Sequence, residues 1–475
     1  MRILLTVAPE IRAALFPMSK VQLMGAKYPP LGVLYLAATL RQTADHELRL
    51  VDAWDFRSST REIEPLLRSW QPEVVGISAT TFVFGRVVEL ADLAKAVNPA
   101  VHVTIGGYHN YFFPAETLAR PSVDSVVIGE GESTFAELID ALAHGRSLAG
   151  IAGLGYKVDG RRQWNEPRAP LQELDRLPFP ARDLLSPGQV YTYSADSDVK
   201  TATILSSRGC PYHCVFCSAA ERYYHTRSPE NVLAEMVACR REGYRQFNFV
   251  DESFNLDLAR VKRLCDLLIE EKLDATWTFR GRVDRFDEEL AEKLSRARCT
   301  RINFGLESGS DRVLQTIPKG ATTADGRRVF TLCRKYRLPT VGYFIVGLPG
   351  ETDEEVGQTV RYAMELRPDF AQFNSPYLIP GSPLYARAID EGVLDADYYR
   401  AFVRNPSGVI AVPVYLGRRT AAQVQALVSG AYRRFYLRPS YLLARLRELR
   451  SAREFWKKFK IGLALIWYVA RRRSA

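Results

Sequence analysis

At 475 residues, 47% hydrophobic and 25% charged, the chain is too long for one core and too apolar for a disordered protein, so two or three folded domains are expected. Seven cysteines, an odd number with three crowded into one short stretch, exclude a disulfide framework and indicate a reducing compartment. The net charge of +10 is no nucleic-acid signature: residues 431–475 hold 13 Lys/Arg against two acids, and no recognised binding module accompanies them.

The first 145 residues alternate strand and helix patterns. RILLTV, ELRLVDA, EVVGISAT, VHVTIGG and VDSVVIGE read as strands, with helices such as LGVLYLAATLR and STFAELIDALA between them. Continuously apolar strands in five βα units predict a doubly wound parallel sheet, buried on both faces. Ligands of such sheets bind beyond the carboxyl ends of the strands. Those ends carry SATTF (78–82), GGYH (106–109) and GEGE (129–132), whose small residues let a bulky ligand approach the backbone. MRILLTV is expected to be a first strand and not a secretion signal, and no run reaches the roughly 18 apolar residues of a membrane span, so a cytoplasmic protein is expected.

Residues 146–195 lose this rhythm; the Pro-punctuated ELDRLPFPARDLL reads as a crossing linker. A second series follows over 196–385. TATILSS, QFNFVDE, TWTFRG, RINFGLE, TVGYFIVGLP and FAQFNSPYL are strand candidates, and Ser228-Pro229 is a helix start. Six βα units are too few for a closed eight-stranded TIM barrel and predict an open partial (β/α)6 barrel with its chemistry on the strand-end loops. Residues 386–475 read as a helical region with a basic amphipathic tail.

RGCPYHCVFC (208–217) directly follows the first strand of this series. Its C-x3-C-x2-C spacing allows Cys210, Cys214 and Cys217 to wrap one face of a cubane cluster, leaving the fourth iron open. A zinc site completed by His213 or His225 is the competing reading. The other four thiols, Cys239, Cys265, Cys299 and Cys333, fall in helix or helix-end patterns and read as core or surface residues.

CPYHC-x-FC followed by βα units resembles the radical S-adenosylmethionine (SAM) superfamily, and the N-terminal domain resembles the cobalamin-binding domain of its B12-dependent branch, which holds methylases and anaerobic magnesium-protoporphyrin ester cyclases. The resemblance covers roughly residues 1–440. It implies a [4Fe–4S] cluster on Cys210, Cys214 and Cys217 with SAM chelating the open iron. It places Asp251 and Glu252 of FVDES at the SAM amino group, Arg280 of RGRVD at its carboxylate, and Glu307 of FGLESG near its methionyl or ribose groups. A solvated acidic turn at 251–252 and an Arg280–Glu307 ion pair are the plainer alternatives. Ile345 and Gly347 of GYFIVGLPGE would flank the adenine, with Glu351 one position late for the family pattern. For cobalamin, Ser78, Thr80 and Thr81 would lie under the corrin, and Gly106, Gly107 and Gly129, Glu130, Gly131 and Glu132 would receive the nucleotide tail. The Asp-x-His-x-x-Gly signature is absent, so no histidine is placed to ligate cobalt from below. A degenerate domain without cobalamin is the alternative there, and His109 reads equally as a surface residue or a cofactor contact.

The activity this implies is reductive cleavage of SAM to a 5′-deoxyadenosyl radical. That radical abstracts hydrogen from an unactivated carbon, and a methyl group follows from methylcobalamin. A radical cyclase or rearrangement without methyl transfer is the alternative enzyme, and a cobalamin- or metal-binding sensor the alternative from another class. The partners expected are a small-molecule substrate, an electron donor of flavodoxin or ferredoxin type, and no nucleic acid. The tail, mixing Arg/Lys with Leu, Phe, Trp and Ile, is compatible with the inner membrane surface and a lipid-like substrate, and equally with packing on the barrel.

Overall fold

The computed structural model describes residues 1–9, 28–52, 59–186, 191, 199–218 and 223–447. The basic tail beyond Arg447, and with it the membrane-contact expectation, lies outside the described residues. Among the described residues no helix is long and apolar enough to cross a membrane. The described residues divide into two compact units, one of residues 1–9, 28–52, 59–186, 191 and 395–412, the other of 199–218, 223–394 and 413–447.

The first unit is built on a sheet ordered β2-β1-β3-β4-β5-β6-β7: β1 (Arg2–Val7), β2 (Glu47–Val51), β3 (Val74–Ser78), β4 (His102–Gly106), β5 (Ser125–Val127), β6 (Leu154–Val158) and β7 (Arg161–Trp164). The first five are parallel. Chain order reverses between β1 and β3, and this switch point, where neighbouring loops diverge, is where a doubly wound sheet opens a ligand crevice. β1, β3, β4 and β5 are buried as their apolar sequences require; β2, at the edge, exposes Glu47 and Arg49 and alternates instead. Helices Leu31–Thr43 and Gly131–Ala143 share one core with the sheet, through Val33, Leu34 and Ala37 against Phe135, Leu138 and Ile139.

Two stretches read otherwise in the sequence join this unit. Within the segment read as a linker, β6 and β7 form an antiparallel hairpin that extends the sheet past β5. β7 is polar and exposed throughout, and β6 offers only Leu154 and Tyr156 to the core, too short an alternation to stand out; the ladder to β5 completes the order. Residues 395–412, inside the C-terminal helical region, return to pack here. Tyr399 is fully buried beside Phe82, and Ile410 N–H donates to the Phe82 carbonyl at 3.0 Å. Gly85 allows this, since a Cβ there would strike the backbone of Gly408 at 2.5 Å.

The second unit carries six parallel strands, β8 (Thr201–Ile204), β11 (Gln246–Phe249), β12 (Thr276–Gly281), β13 (Cys299–Glu307), β14 (Thr340–Ile345) and β15 (Phe370–Asn374), ordered β15-β14-β13-β12-β11-β8. A short antiparallel ribbon of β9 (Ser207–Arg208) and β10 (His225–Thr226) stands apart. This is the open six-stranded half of a barrel. Helix starts follow local chemistry: Ser228 Oγ accepts from Asn231 N–H with Pro229 in the first turn, and Thr352 with Glu355 forms a capping box. Trp277, 1% exposed, packs on Phe249, Phe254 and Phe279 and donates Nε1–H to the Ala297 carbonyl at 2.7 Å. Cys239, Cys265, Cys299 and Cys333 all lie in this core, where burial raises the thiol pKa of Cys265, Cys299 and Cys333.

Candidate active site

In the second unit the cysteine loop leaves β9 at the carboxyl end of β8. Cys214 is buried and Cys210 and Cys217 are half-buried. Cys217 N–H donates to the Cys214 carbonyl at 3.0 Å, a tight turn that keeps the last two thiols on one short arc. Cys214 packs with Val313, Ile317, Ile345 and Leu348, and Tyr212, Val215, Phe216 and Cys217 close over them. Ile345 is thus brought to the cysteine loop from a distant strand. Burial raises the Cys214 thiol, and Lys319 and Arg282 pull it the other way.

These residues fit an iron–sulfur cluster by their chemistry: three thiols on one loop, backed by apolar side chains that exclude water. Among the described residues no group of three His, Cys, Asp or Glu could hold a single metal ion. A cubane takes one thiolate per iron and spreads its ligands wider than one ion does. Of the histidines offered for zinc, His213 is exposed and His225 lies in the β9–β10 ribbon against Tyr223, centroids 4.4 Å apart.

The acidic motif after β11 splits. Asp251, fully buried, accepts from Ser206 N–H (2.8 Å), Ser206 Oγ (2.5 Å) and Ser207 Oγ (2.7 Å), with Arg260 3.9 Å away. It holds the stem of the cysteine loop. Glu252 is exposed. Arg280, at the end of β12, is exposed too, whereas Arg282 two residues on is buried. Arg282 chelates Asp284 at 2.9 Å through both nitrogens and stacks on Tyr212 of the cysteine loop. The alternative reading of an Arg280–Glu307 ion pair is not met: Glu307 pairs with Lys319, Nζ to Oε1 at 2.5 Å, both groups about a tenth exposed or less.

Two residues past β14 the chain turns at Gly347, whose φ of +95° favours glycine. Glu351 Oε2 accepts from Gly347 N–H (2.6 Å) and Leu348 N–H (3.1 Å), and Oε1 is buried without a partner. Burial pushes Glu351 up to about 7, against the opposing pull of those amides and Arg419. The late glutamate therefore braces the Gly-Leu-Pro-Gly turn.

In the first unit, the carboxyl edge of the adjacent strands β3 and β4, beside the switch point, brings together loops 78–82 and 106–109. Gly107 (φ +91°) serves packing: a Cβ there would lie 2.8 Å from the Ala79 carbonyl and 2.9 Å from Ser78 Oγ. Gly131 likewise lets its helix approach Leu36, and Gly106 has only Val127 within 4 Å of a built Cβ. Gly129 (φ +84°) opens on free space. Glu130 Oε2 accepts from Leu171 N–H at 2.5 Å, and Glu132 is buried in the first helical turn. Thr80 Oγ1 is buried without a partner. The open glycine after β5 and the orphaned hydroxyl after β3 both stand on the carboxyl edge of the parallel strands and fit a bulky polar cofactor such as cobalamin.

His109 is neither at the surface nor exposed to a ligand. It is fully buried, its Nδ1 is 3.0 Å from Thr81 Oγ1, its ring stacks on Phe84 at 4.1 Å, and burial pushes it down to about 3. Sequence reasoning missed Ser206, Ser207, Tyr212, Arg282 and Lys319. Tyr212 and Arg282 stand inside the motifs already singled out, and no pattern marks Lys319.

Residues 204–363 match the radical SAM superfamily model and residues 21–139 the B12-binding domain model. An uncharacterised methyltransferase of Pyrococcus horikoshii is 35% identical over 99% of both chains. The anaerobic magnesium-protoporphyrin IX monomethyl ester cyclase of Rubrivivax gelatinosus is 28% identical over 88% of this chain and 76% of its own. Among solved structures, the radical SAM methyltransferase TsrM of Kitasatospora setae, with cobalamin and a [4Fe–4S] cluster bound, aligns at TM-score 0.66 and 22% identity, over 82% of this chain and 78% of that one. The cobalamin-dependent SAM radical enzyme OxsB with aqua-cobalamin aligns at TM-score 0.71 and 17% identity, over 98% and 71%. At these identities the two structures speak for the fold.

Proposed function

We propose, for a chain that belongs to the radical SAM superfamily in its B12-binding branch, that it transfers a methyl group to an unactivated carbon of a small-molecule substrate. The observation that carries this reading is the joint presence, in one chain, of a three-thiol loop following the first strand of a six-stranded parallel sheet and a second, doubly wound sheet with its switch point between β1 and β3. The overall match to a methyltransferase adds to it. When bound, the cluster with SAM supplies a carbon-centred radical and cobalamin supplies a transferable methyl group.

The residues divide the work as follows. Cys210, Cys214 and Cys217 ligate the cluster. Glu252, Arg280 and Glu307 meet the polar groups of SAM, and Ile345 with the Gly347 turn bounds the adenine. Asp251 acts one layer behind, on the loop stem. In the first unit Ser78, Thr80 and Thr81 meet the corrin, Gly106 and Gly129 leave it room, and Gly107, Glu130, Gly131 and Glu132 hold the loops around it. A flavodoxin- or ferredoxin-type donor supplies electrons. An apolar substrate met at a membrane surface rests on the excess of 11 positive charges over residues 431–475.

The second reading, radical cyclisation without methyl transfer, is favoured by the 28% identity to the ester cyclase. Reconstituted protein incubated anaerobically with SAM, a strong reductant and cobalamin separates them. Methyl transfer gives cobalamin-dependent S-adenosylhomocysteine alongside 5′-deoxyadenosine. Deoxyadenosine alone turns the assignment to the cyclase.

A further inference from the structure

We infer that Lys319 is a positioning residue of the SAM site, holding the Glu307 carboxylate in one fixed conformation across the end of β13. This rests on the reading that Glu307 meets SAM.

Glu307 closes β13 with φ +62°, a left-handed conformation that costs a residue with a side chain, and the register to β14 slips between Gly305 and Glu307. Such a conformation persists only where its surroundings over-determine it. Lys319 is the group that does so. Its Nζ donates to Glu307 Oε1 at 2.5 Å and to the Gly305 carbonyl at 2.7 Å, pinning the carboxylate across the bulge. Gly305 is shaped for this pair, since a Cβ there would collide with both Glu307 Oε1 and Lys319 Nζ. A lysine 8% exposed with one carboxylate partner is a costly thing to bury.

The same residue reaches the cysteine loop by its backbone. The Lys319 carbonyl accepts from Arg282, Arg282 lies over Tyr212, and Ile317, two residues earlier, packs on Cys214. The amine therefore faces the glutamate while the main chain supports the cluster loop, and removing the amine alone separates the two functions.

Lys319→Met keeps length and volume and removes the charge. In the reconstituted protein it is expected to lower the unfolding midpoint, since Glu307 is left buried without its partner, while retaining iron content and cobalamin binding; SAM binding weakens about tenfold or more and the SAM-induced change in the EPR spectrum of the reduced cluster is diminished. Lys319→Arg is expected to restore part of the binding, and Lys319→Met with Glu307→Gln to be no weaker than Glu307→Gln alone, because the two residues act as one unit. SAM binding by Lys319→Met at the level of the parent would overturn the proposal, as would additive effects in the double variant or loss of iron with the charge. Should Lys319→Met not fold, Lys319→Gln decides, since it removes the charge and keeps a donor for the Gly305 carbonyl: iron retained with weaker SAM binding supports the proposal, and SAM binding at the level of the parent overturns it. If the parent protein, cluster intact, shows no SAM binding at all, the SAM reading itself fails, whatever Lys319 does.

Discussion

The guanidinium carbon of Arg282 lies 3.5 Å from the centroid of the Tyr212 ring. The arginine is fixed by its paired contact with Asp284, so the tyrosine, and the cysteine loop with it, is docked on the end of β12. A cation over an aromatic face contributes on the order of 1–2 kcal/mol when partly desolvated. On the other side of the loop, Leu384 N–H donates to the Val215 carbonyl at 2.8 Å. The cysteines are presented by a loop clamped at two points.

Tyr212→Phe keeps the ring and is expected to hold as much iron as the parent. Tyr212→Leu loses the stack, about 1–2 kcal/mol of loop anchoring, and is expected to retain less iron after reconstitution. Iron per chain and the brown absorption read the difference; equal loading of the two variants would refute the clamp.

Asp251 separates a loop-stem role from direct ligand contact. Its carboxylate satisfies three donors and faces Arg260 in a fully buried site. Asp251→Ala leaves those groups unpaired, a loss on the order of 3–5 kcal/mol, and should lower the unfolding midpoint and iron content together. A variant with parent stability and iron, deficient only in SAM binding, would instead make Asp251 a ligand contact.

Glu351 imposes a pH dependence of one sign. Its pKa is raised from the ordinary carboxylate value of 4.5 to about 7, so the folded state keeps its proton where the unfolded chain has lost it. The stabilisation is complete below the unfolded value and is lost as pH rises to about 7, by roughly 1.4 kcal/mol per pH unit within that window. Glu351→Gln keeps an acceptor for Gly347 and Leu348 and does not titrate. Unfolding midpoints measured across the window should fall less steeply in the variant; identical slopes would contradict the assignment.

His109 imposes the opposite sign. With its pKa lowered from 6.5 to about 3, the folded protein refuses a proton that the unfolded chain accepts. Stability is present above the unfolded value and is lost as pH falls below it, again by roughly 1.4 kcal/mol per unit. His109→Phe preserves the stack on Phe84 and should flatten the acid limb of the stability profile. Because the ring is sealed, cob(II)alamin bound by the parent should show no nitrogen splitting from a protein histidine in its EPR spectrum; such splitting would put His109 on the cobalt.

Much of the fold was legible because local patterns and tertiary demands agree. Buried parallel strands must be apolar throughout, and βα alternation leaves few ways to arrange them, so both sheets follow from runs such as EVVGISAT and TVGYFIVGLP. The β6–β7 hairpin was not legible, since LGYKV shows only Leu154 and Tyr156 as an apolar face, RRQW shows none, and their order depends on pairing β6 to β5 and β7 to β6. The return of residues 395–412 to the first unit was equally hidden: a long-range contact through Gly85 leaves no periodicity to read.

At the candidate site, the sequence by itself determined the three thiols and their order on one loop, because cluster ligation needs particular side chains at short, countable spacing. Tertiary structure alone decided how the charged residues divide. Asp251 turned inward to the loop stem while Glu252 stayed outside, Arg282 and not Arg280 took the buried position, and Glu307 found Lys319. Those choices depend on which way each side chain points at the end of a strand and on which distant element meets it there. A residue's chemistry can be read from its letter, but its partner is set by the packing of the whole barrel.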